Sequence, residues 1–440
     1  MTDSITDFFE WIRNNKNLKT VNAECETFEL VDVGMKCYGG DTAVYLKNRD
    51  LQERMRRGLT FIRQNTDLEI ARQGLPKFFD LDILEILKPD SVCLPASSYP
   101  VTIYNLEKLN GENAQISWSR SLQRWIICSK NVALAATDLA NAREQYSGKE
   151  RFTYALHIAG HWFEGTLPNV KELDALKEFL SGNTLVGEVV DLSNAQHVVD
   201  NPERIGLIFF AIVSKEPSGK KTPLCVLPNE AIPTFTRHGL KHVNVGERCV
   251  LTAREDVPKL QRFVDEICID KSPHPYICSS EGSVMYATED RTGRVLFLAK
   301  VKTTKYRVLR RLRELMKRAS NCNCDPGSVE ESKMRKGFKQ DIQKWGLEEG
   351  VYLRLFDVAN RTRSEGNWDQ KRLSNWYIEF LRECINKCES LPNVEAPVIQ
   401  SGDFNHESEL ESSADEDDNF AKNESNVTKP TRKNRMYHRK

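Results

Sequence analysis

Five charged side chains stand beside or within apolar strand-forming runs, where an unpaired charge would be costly to bury. Lys108 follows the run Pro100-Val-Thr-Ile-Tyr104 and stands three positions before Gly111. Glu188 lies inside Val186-Gly-Glu-Val189, and Glu281 inside Ser280-Glu-Gly-Ser-Val284, just ahead of another strand. Lys300 and Lys302 close Ala299-Lys-Val-Lys302, on one face of a strand because side chains at i and i+2 point the same way. Such placements imply a shared polar cleft. The chemistry that fits it is nucleotidyl transfer. A neutral lysine amine can attack the α-phosphorus of a nucleoside triphosphate and form a phosphoramidate. Nearby cations, Lys302 and a bound metal, would lower the Lys108 pKa. Glu188 and Glu281 could hold a divalent metal as hard oxygen ligands. Lys300 and Lys302 would neutralise the α-phosphate as pyrophosphate leaves. Gly111 would let the backbone pass close to the nucleotide.

Residues 4–15 read as a short amphipathic helix, and Phe28 to about Ile70 as strands broken by Gly39-Gly40 and charged turns. Leu75–Phe79 is an apolar loop or strand. A strand meander is expected over Val101–Tyr104, Ala114–Trp118 and Trp125–Cys128, then helices over 131–180. Strands follow at Leu185–Val190, Gly206–Val213, Ser283–Ala287 and Arg294–Val301, with helices near 227–234 and 255–268. Residues 306–320 and 329–390 are largely helical, their aromatics from Trp345 to Phe380 spaced for a packed bundle. The fold class is therefore α+β with antiparallel sheets and a C-terminal helical domain. The units expected are an N-terminal helix over 1–24, an α+β domain over 25–305, a helical domain over 306–390 and a tail over 391–440. In that tail, residues 403–418 carry eight acids and no Lys or Arg, and residues 422–440 seven basic residues against one acid, so it reads as disordered.

The bulk numbers are those of an ordinary globular protein: 440 residues, 40% hydrophobic, with 63 basic side chains cancelling 63 acidic ones. Net charge thus identifies no partner, and nucleic-acid binding must rest on local clusters. No run approaches the ~18 apolar residues of a membrane span. The N-terminus lacks a signal-peptide layout, so a cytoplasmic or nuclear location is expected, with the 12 cysteines as reduced thiols and no use for the sequons at Asn360 and Asn426.

The order of the charged motifs carries a resemblance. Lys108-Leu-Asn-Gly111 resembles motif I of the covalent nucleotidyltransferases, the polynucleotide ligases and mRNA capping enzymes, whose fold is an ATP-grasp-like antiparallel-sheet domain. Ser129-Lys130 is similar to the segment after motif I, Gly187-Glu188 to motif III, Leu207–Val213 to motif IIIa, Glu281-Gly282 to motif IV and Lys300-Val-Lys302 to motif V. Lys300–Tyr306 resembles the last motif of the phage RNA ligase 1 family. Arg57-Gly-Leu-Thr-Phe61 with Leu75-Pro-Lys-Phe-Phe79 is similar to the pair that precedes the nucleophile in that family and in fungal tRNA ligases. The resemblance covers about residues 28–306. It implies an ATP-dependent RNA ligase, possessed of a lysyl-AMP on Lys108, with magnesium, joining RNA 5′-phosphate and 3′-hydroxyl ends in tRNA repair or splicing. It also implies that Glu107, Asn110, Gly111, Arg57, Lys77 and Lys130 contact the nucleotide. Glu188 would bind ribose or a metal-bound water, Glu281 the metal, and Phe209 or Phe210 would stack on adenine. Asn110 departs from the commoner Asp of motif I and matches the fungal tRNA ligase version. Alternatives are a capping-type guanylyltransferase and an inert RNA-binding relative.

Between Lys300 and Arg318 stand nine basic residues and one acid. Lys305, Arg307, Arg310 and Arg311 form the local candidate for RNA docking, against the plainer reading of a solvated helix face. His157 and His161, at i and i+4, could ligate zinc, but the segment lacks the Glu of a metalloprotease helix. Cys322/Cys324 and Cys384/Cys388 lack a zinc spacing. Gly219-Lys-Lys-Thr222 lacks the upstream glycine of a P-loop, so the chain reads as a stand-alone, monomeric ligase that depends on a 5′-phosphate made elsewhere.

Overall fold

The computed structural model describes residues 4–25, 27–37, 41–81, 94, 96–191, 198–199, 204–219, 222–322, 324 and 326–390. The charge-segregated tail 391–440 and the Gly39-Gly40 break lie outside the described residues. Ser4 caps α1 (Ile5–Asn14), accepting from the Asp7 N–H, and the helix lays Phe8, Phe9 and Ile12 on a four-stranded antiparallel sheet. That sheet is β1 (Leu18–Glu24), β2 (Glu29–Met35), β3 (Thr60–Gln64) and β4 (Asp67–Arg72), in that order. It begins ten residues before the expected Phe28, because β1 is an edge strand with mostly exposed side chains and no apolar alternation to read. Between β2 and β3 the chain forms two short helices, α2 (Thr42–Leu46) and α3 (Arg49–Arg54).

Next come β5 (Phe79–Asp80), β6 (Val101–Lys108), β7 (Glu112–Ser119), β8 (Arg124–Cys128) and β9 (Ala133–Ala136). Helices α4 (Leu139–Tyr146) and α5 (Thr153–Gly160) follow, α5 running on into a π-helical turn over His161–Thr166. Then come α6 (Leu173–Gly182), β10 (Asn183–Val190), β11 (Gly206–Ser214), α7 (Pro228–Arg237), β12 (Val245–Leu251), α8 (Val257–Cys268), β13 (Gly282–Glu289) and β14 (Arg294–Lys302). Five helices close the described chain: α9 (Thr304–Asn321), α10 (Val329–Lys344), α11 (Glu349–Glu365), α12 (Gln370–Asn375) and α13 (Tyr377–Glu389). The expected strands left out β12, whose first four residues are exposed.

Two five-stranded sheets dominate, ordered β11-β10-β7-β8-β9 and β12-β6-β13-β14-β5, with β5 the one parallel partner among the pairings of the described strands. They share a core of Leu106, Val186, Ile208, Val284, Tyr286 and Leu298. Helices α4 to α7 cover the outer face of the first, packing Ala155, Trp162, Leu176 and Phe235 on Trp125, Ile127 and Leu185. Helix α8 covers the outer face of the second, with Leu260 and Val264 against Ile103 and Met285. Burial on both faces explains why β11 reads as an unbroken apolar run. The helices α9 to α13 bury Leu312, Phe338, Phe356 and Tyr377 among themselves, each such side chain contributing roughly 1.5–3 kcal/mol.

The meander expected over 100–130 is not one ladder. β6 pairs with β12 and β13, whereas β7 pairs with β10 and β8. The chain crosses between sheets over residues 109–111, anchored by Leu109, which is buried in the shared core. No described helix is long and apolar enough to cross a membrane, and the eleven cysteines among the described residues are free thiols.

Candidate active site

Lys108 is the last residue of β6, so the crossing leaves it at the edge of the gap between the two sheets. Strand register does most of the assembly. Lys108 pairs with Gly282 on β13, and Gly282 pairs with Lys302 on β14. Leu106, Val284 and Leu298 of these strands face the shared core, and period-2 alternation puts Lys108, Lys300 and Lys302 on that same face. Glu188 comes from β10 in the facing sheet, opposite Asn113. Gly282 has φ +138°, and a Cβ there would meet the Val301 carbonyl oxygen at 2.0 Å, so only glycine admits the backbone path that follows Glu281.

The Lys108 ammonium lies 2.8 Å from Glu281 Oε1, with side chains 16% and 6% exposed. It also donates to the Leu109 carbonyl at 3.3 Å. The other Glu281 oxygen accepts from Asn110 Nδ2 at 3.1 Å. Asn110 Oδ1 accepts from the N–H groups of Val198 and Val199 at 2.8 and 3.2 Å, which fixes the amide so that its NH₂ faces the carboxylate. This accounts for asparagine at the position: an aspartate would turn an acceptor toward Glu281. Gly111 donates its N–H to Glu188 at 2.9 Å, and a Cβ on it would meet the Val189 carbonyl oxygen at 2.6 Å. The glycine thus admits the crossing past β10, a different close approach from the one expected.

Lys302 alone does not lower the Lys108 pKa. Burial alone would lower it, but the Glu281 and Glu188 carboxylates and Tyr306 outweigh burial and hold it well above the ordinary lysine range. Burial would raise the Glu281 pKa, and Lys108, Lys302 and Arg310 together pull it down instead. Thr303 caps α9 and ties that helix to the Glu281 loop through its N–H to the Glu281 carbonyl at 3.0 Å. Helix α9 thereby delivers Tyr306, whose hydroxyl lies 3.4 Å from Asn110 Nδ2 and accepts from Arg310 at 3.2 Å. Burial, then the Glu281 charge, push the Tyr306 pKa up to about 12. Lys302 reaches Asp80 at 3.6 Å, and Lys300 lies 5.3 Å over the Phe78 ring.

A second cluster lies around Asp41. Its carboxylate receives Lys77 at 2.8 Å and Arg57 at 3.2 Å. Burial raises the Asp41 pKa, but Arg57, Lys77 and then Lys130 overcome it and lower the pKa. Three basic residues singled out on family likeness thus act on one carboxylate. Phe210 is the extra residue of a β-bulge between β10 and β11 and packs at the shared core, whereas Phe209 is fully buried against Trp162 and Phe235 on the helical side. Glu107 turns the other way from Lys108, held by Arg204 and the Asn244 N–H.

The four α9 cations do not form one exposed stripe. Lys305 is 9% exposed and donates to Asp270 and to the carbonyls of Ser272 and His274. Arg310 belongs to the Lys108 cluster, Arg307 is half-buried, and Arg311 is exposed and paired with Asp341 at 2.8 Å. Sequence reasoning missed Asp41 and Tyr306 as site residues. Tyr306 had a signal, since it closes the segment Lys300–Tyr306, while Asp41 had none. The donor chemistry fits a hard divalent cation: Glu188 from β10 and Glu281 from the loop just before β13 both act on the Lys108 ammonium.

The family model described as RNA ligase, of the T4 type 1 kind, matches residues 55–306, more than half of the chain. A search of curated proteins returns no match. Among solved structures, the chain is similar to an archaeal ATP-dependent RNA ligase in two forms, at 14% and 13% identity and TM-scores of 0.44 and 0.45. These cover 87% of this chain and 78% and 86% of the neighbours. It is also similar to a Naegleria gruberi RNA ligase with PPi, at 17% identity and a TM-score of 0.31, over 48% of this chain and 52% of that one.

Proposed function

The chain belongs to the RNA ligase family, and on that premise we propose that it is an ATP-dependent ligase sealing RNA 5′-phosphate to 3′-hydroxyl ends through a lysyl-AMP on Lys108. The observation that carries this reading is the convergence of Glu281, Glu188 and Tyr306 on one lysine at a sheet-to-sheet crossing, with Asn110 bonded to Glu281 and Tyr306. The Lys108 nitrogen attacks the α-phosphorus, a P–N bond forms, and the bond to the β-phosphate oxygen breaks, its electron pair leaving with pyrophosphate. The ammonium gives its proton to solvent water before attack, and the two carboxylates that favour the charged form are those that would ligate magnesium. Magnesium bound there would relieve that hold and offset phosphate charge. Lys300 and Lys302 steady the α-phosphate. Arg57, Lys77 and Lys130 take the outer phosphates, and Phe210 packs against the base. AMP then passes to the RNA 5′-phosphate, and the 3′-hydroxyl displaces it. Residues 25–305 act as the adenylyltransferase unit, while the helical unit 306–390 sets the choice among broken or spliced RNAs, tRNA included.

Incubation with α-labelled ATP and magnesium tests the reading. Label retained by the wild type and lost in Lys108→Ala is the expected result. Label from GTP alone would make the chain a guanylyltransferase, and no label with RNA binding intact would make it an inert RNA-binding relative.

A further inference from the structure

Strand β10 carries Glu188 toward the gap between the sheets. Just past its end, Asp191 turns to the helical side of the same sheet. Its Oδ2 lies 3.4 Å from His157 Nε2 and 3.8 Å from His161 Nε2, and the three ligating atoms fall within 4.8 Å of one another. The histidines come from successive turns of one helix, α5 and its continuation, and so share a face. Their rings stand 4.7 Å apart, nearly perpendicular at 82°. His157 Nε2 is buried and makes no hydrogen bond among the described residues. The widened π-helical turn begins at His161, a device common at functional sites. The two histidines line a cavity of about 480 Å³, together with Arg143 and Glu164. Arg143 is turned to Glu164 at 3.8 Å.

We propose that His157, His161 and Asp191 bind a transition-metal dication, zinc by preference, completed by water from the cavity. Tetrahedral zinc with ligands at ~2.0–2.2 Å holds its ligand atoms roughly 3.3–3.6 Å apart, so the two approaches to Asp191, 3.4 and 3.8 Å, need only a few tenths of an ångström of adjustment, while the two imidazole nitrogens, within 4.8 Å of each other, close by at most about 1.2–1.5 Å. Two imidazoles and one carboxylate suit zinc better than magnesium or calcium, which favour all-oxygen sets. The metal clamps α5 to the end of the strand that carries Glu188, three residues away. The site is separate from the Lys108 cluster and does not depend on the ligase reading.

The test uses the full chain, stripped with EDTA and titrated with cobalt(II), followed by the visible d–d bands of the metal. One equivalent bound, without thiolate-to-cobalt charge transfer and displaced by zinc, is the expected result, and zinc should raise the melting temperature. His161→Gln and Asp191→Asn should each weaken binding about 100-fold or more, at or beyond the loss typical of disturbing a metal site's surroundings. If His161→Gln does not fold, His157→Gln replaces it, and excess magnesium in the titration occupies Glu281 and Glu188, so the cobalt bands that remain report the histidine site. Absence of d–d bands in the wild type, or bands of thiolate character that survive both substitutions, would overturn the proposal.

Discussion

Replacing Lys108 by Met and Glu281 by Gln, singly and together, tests the central pairing without requiring turnover. The pair is 2.8 Å apart and nearly buried. Breaking a buried pair costs roughly 3–5 kcal/mol, because one charge is left uncompensated. In Glu281→Gln the Lys108 ammonium keeps Glu188 as a neighbour, which places the loss near the lower end, ~3 kcal/mol. In Lys108→Met the Glu281 carboxylate keeps Lys302 and Arg310, so about 2 kcal/mol is expected. The double variant leaves neither charge of the pair behind and should lose about 2 kcal/mol rather than the additive 5. At about 2–4 °C per kcal/mol for a unit of this size, the melting temperature falls by about 6–12 °C, 4–8 °C and 4–8 °C respectively. Calorimetry at neutral pH reads these shifts. Losses additive to within about 0.5 kcal/mol would refute the pairing, and with it the reasoning that places Lys108 against the carboxylate.

The same pair sets a pH window. The Glu281 pKa is lowered from 4.5, so its stabilisation is present above that value and lost as pH falls through the lowered one. The Lys108 pKa is raised from 10.5, so its stabilisation is complete below that value and lost only as pH rises through the raised one. The melting-temperature gap between wild type and the double variant should therefore be flat across neutral pH and shrink in acid below 4.5. Asn110→Asp sets a second carboxylate about 3.1 Å from Glu281 and should cost about 1.5–3 kcal/mol at pH 7. Thermal melts at pH 4.5 should recover part of that loss as the pair takes up a proton. Lys77→Met should raise the KM for ATP tenfold or more in the adenylylation assay while leaving transfer from pre-adenylylated enzyme intact, in line with an outer-phosphate contact worth ~1.5–3 kcal/mol. Arg310→Ala should impair adenylylation, whereas Arg311→Ala should spare it and reduce the salt slope of RNA binding by about 1; label incorporation and a salt titration separate the two.

The candidate cluster was easier to read in the sequence than the sheets that hold it. Lys108, Glu188, Glu281, Lys300 and Lys302 each stand within, at the end of or just ahead of an apolar strand, and a charge so placed is visible residue by residue. Strand partnership is not, because β6 and β7 adjoin in sequence and look like a hairpin. Their separation depends on Leu109 fitting a core assembled from strands roughly 80–190 residues away. The edge strands β1 and β12 were hard to read for the opposite reason, since exposure removes the alternation that marks a strand. The fate of the α9 cations was likewise out of reach. Charge counts along a helix do not say which cation is consumed by three carbonyl and carboxylate oxygens, as at Lys305, and which is exposed, as at Arg311.

Asp41 bears on how selective its neighbourhood is toward anions. Arg57 and Lys77 are already fixed on that carboxylate, so the rotamer freedom of two long side chains, up to about 1.5–2 kcal/mol each, is surrendered when the chain folds. An incoming anion exchanges with a resident one instead of gathering loose cations. A singly charged visitor gains little from such an exchange, because it replaces like with like. A polyphosphate brings several charges against one, and the built-in competitor thereby tilts the region toward the most highly charged ligand in solution.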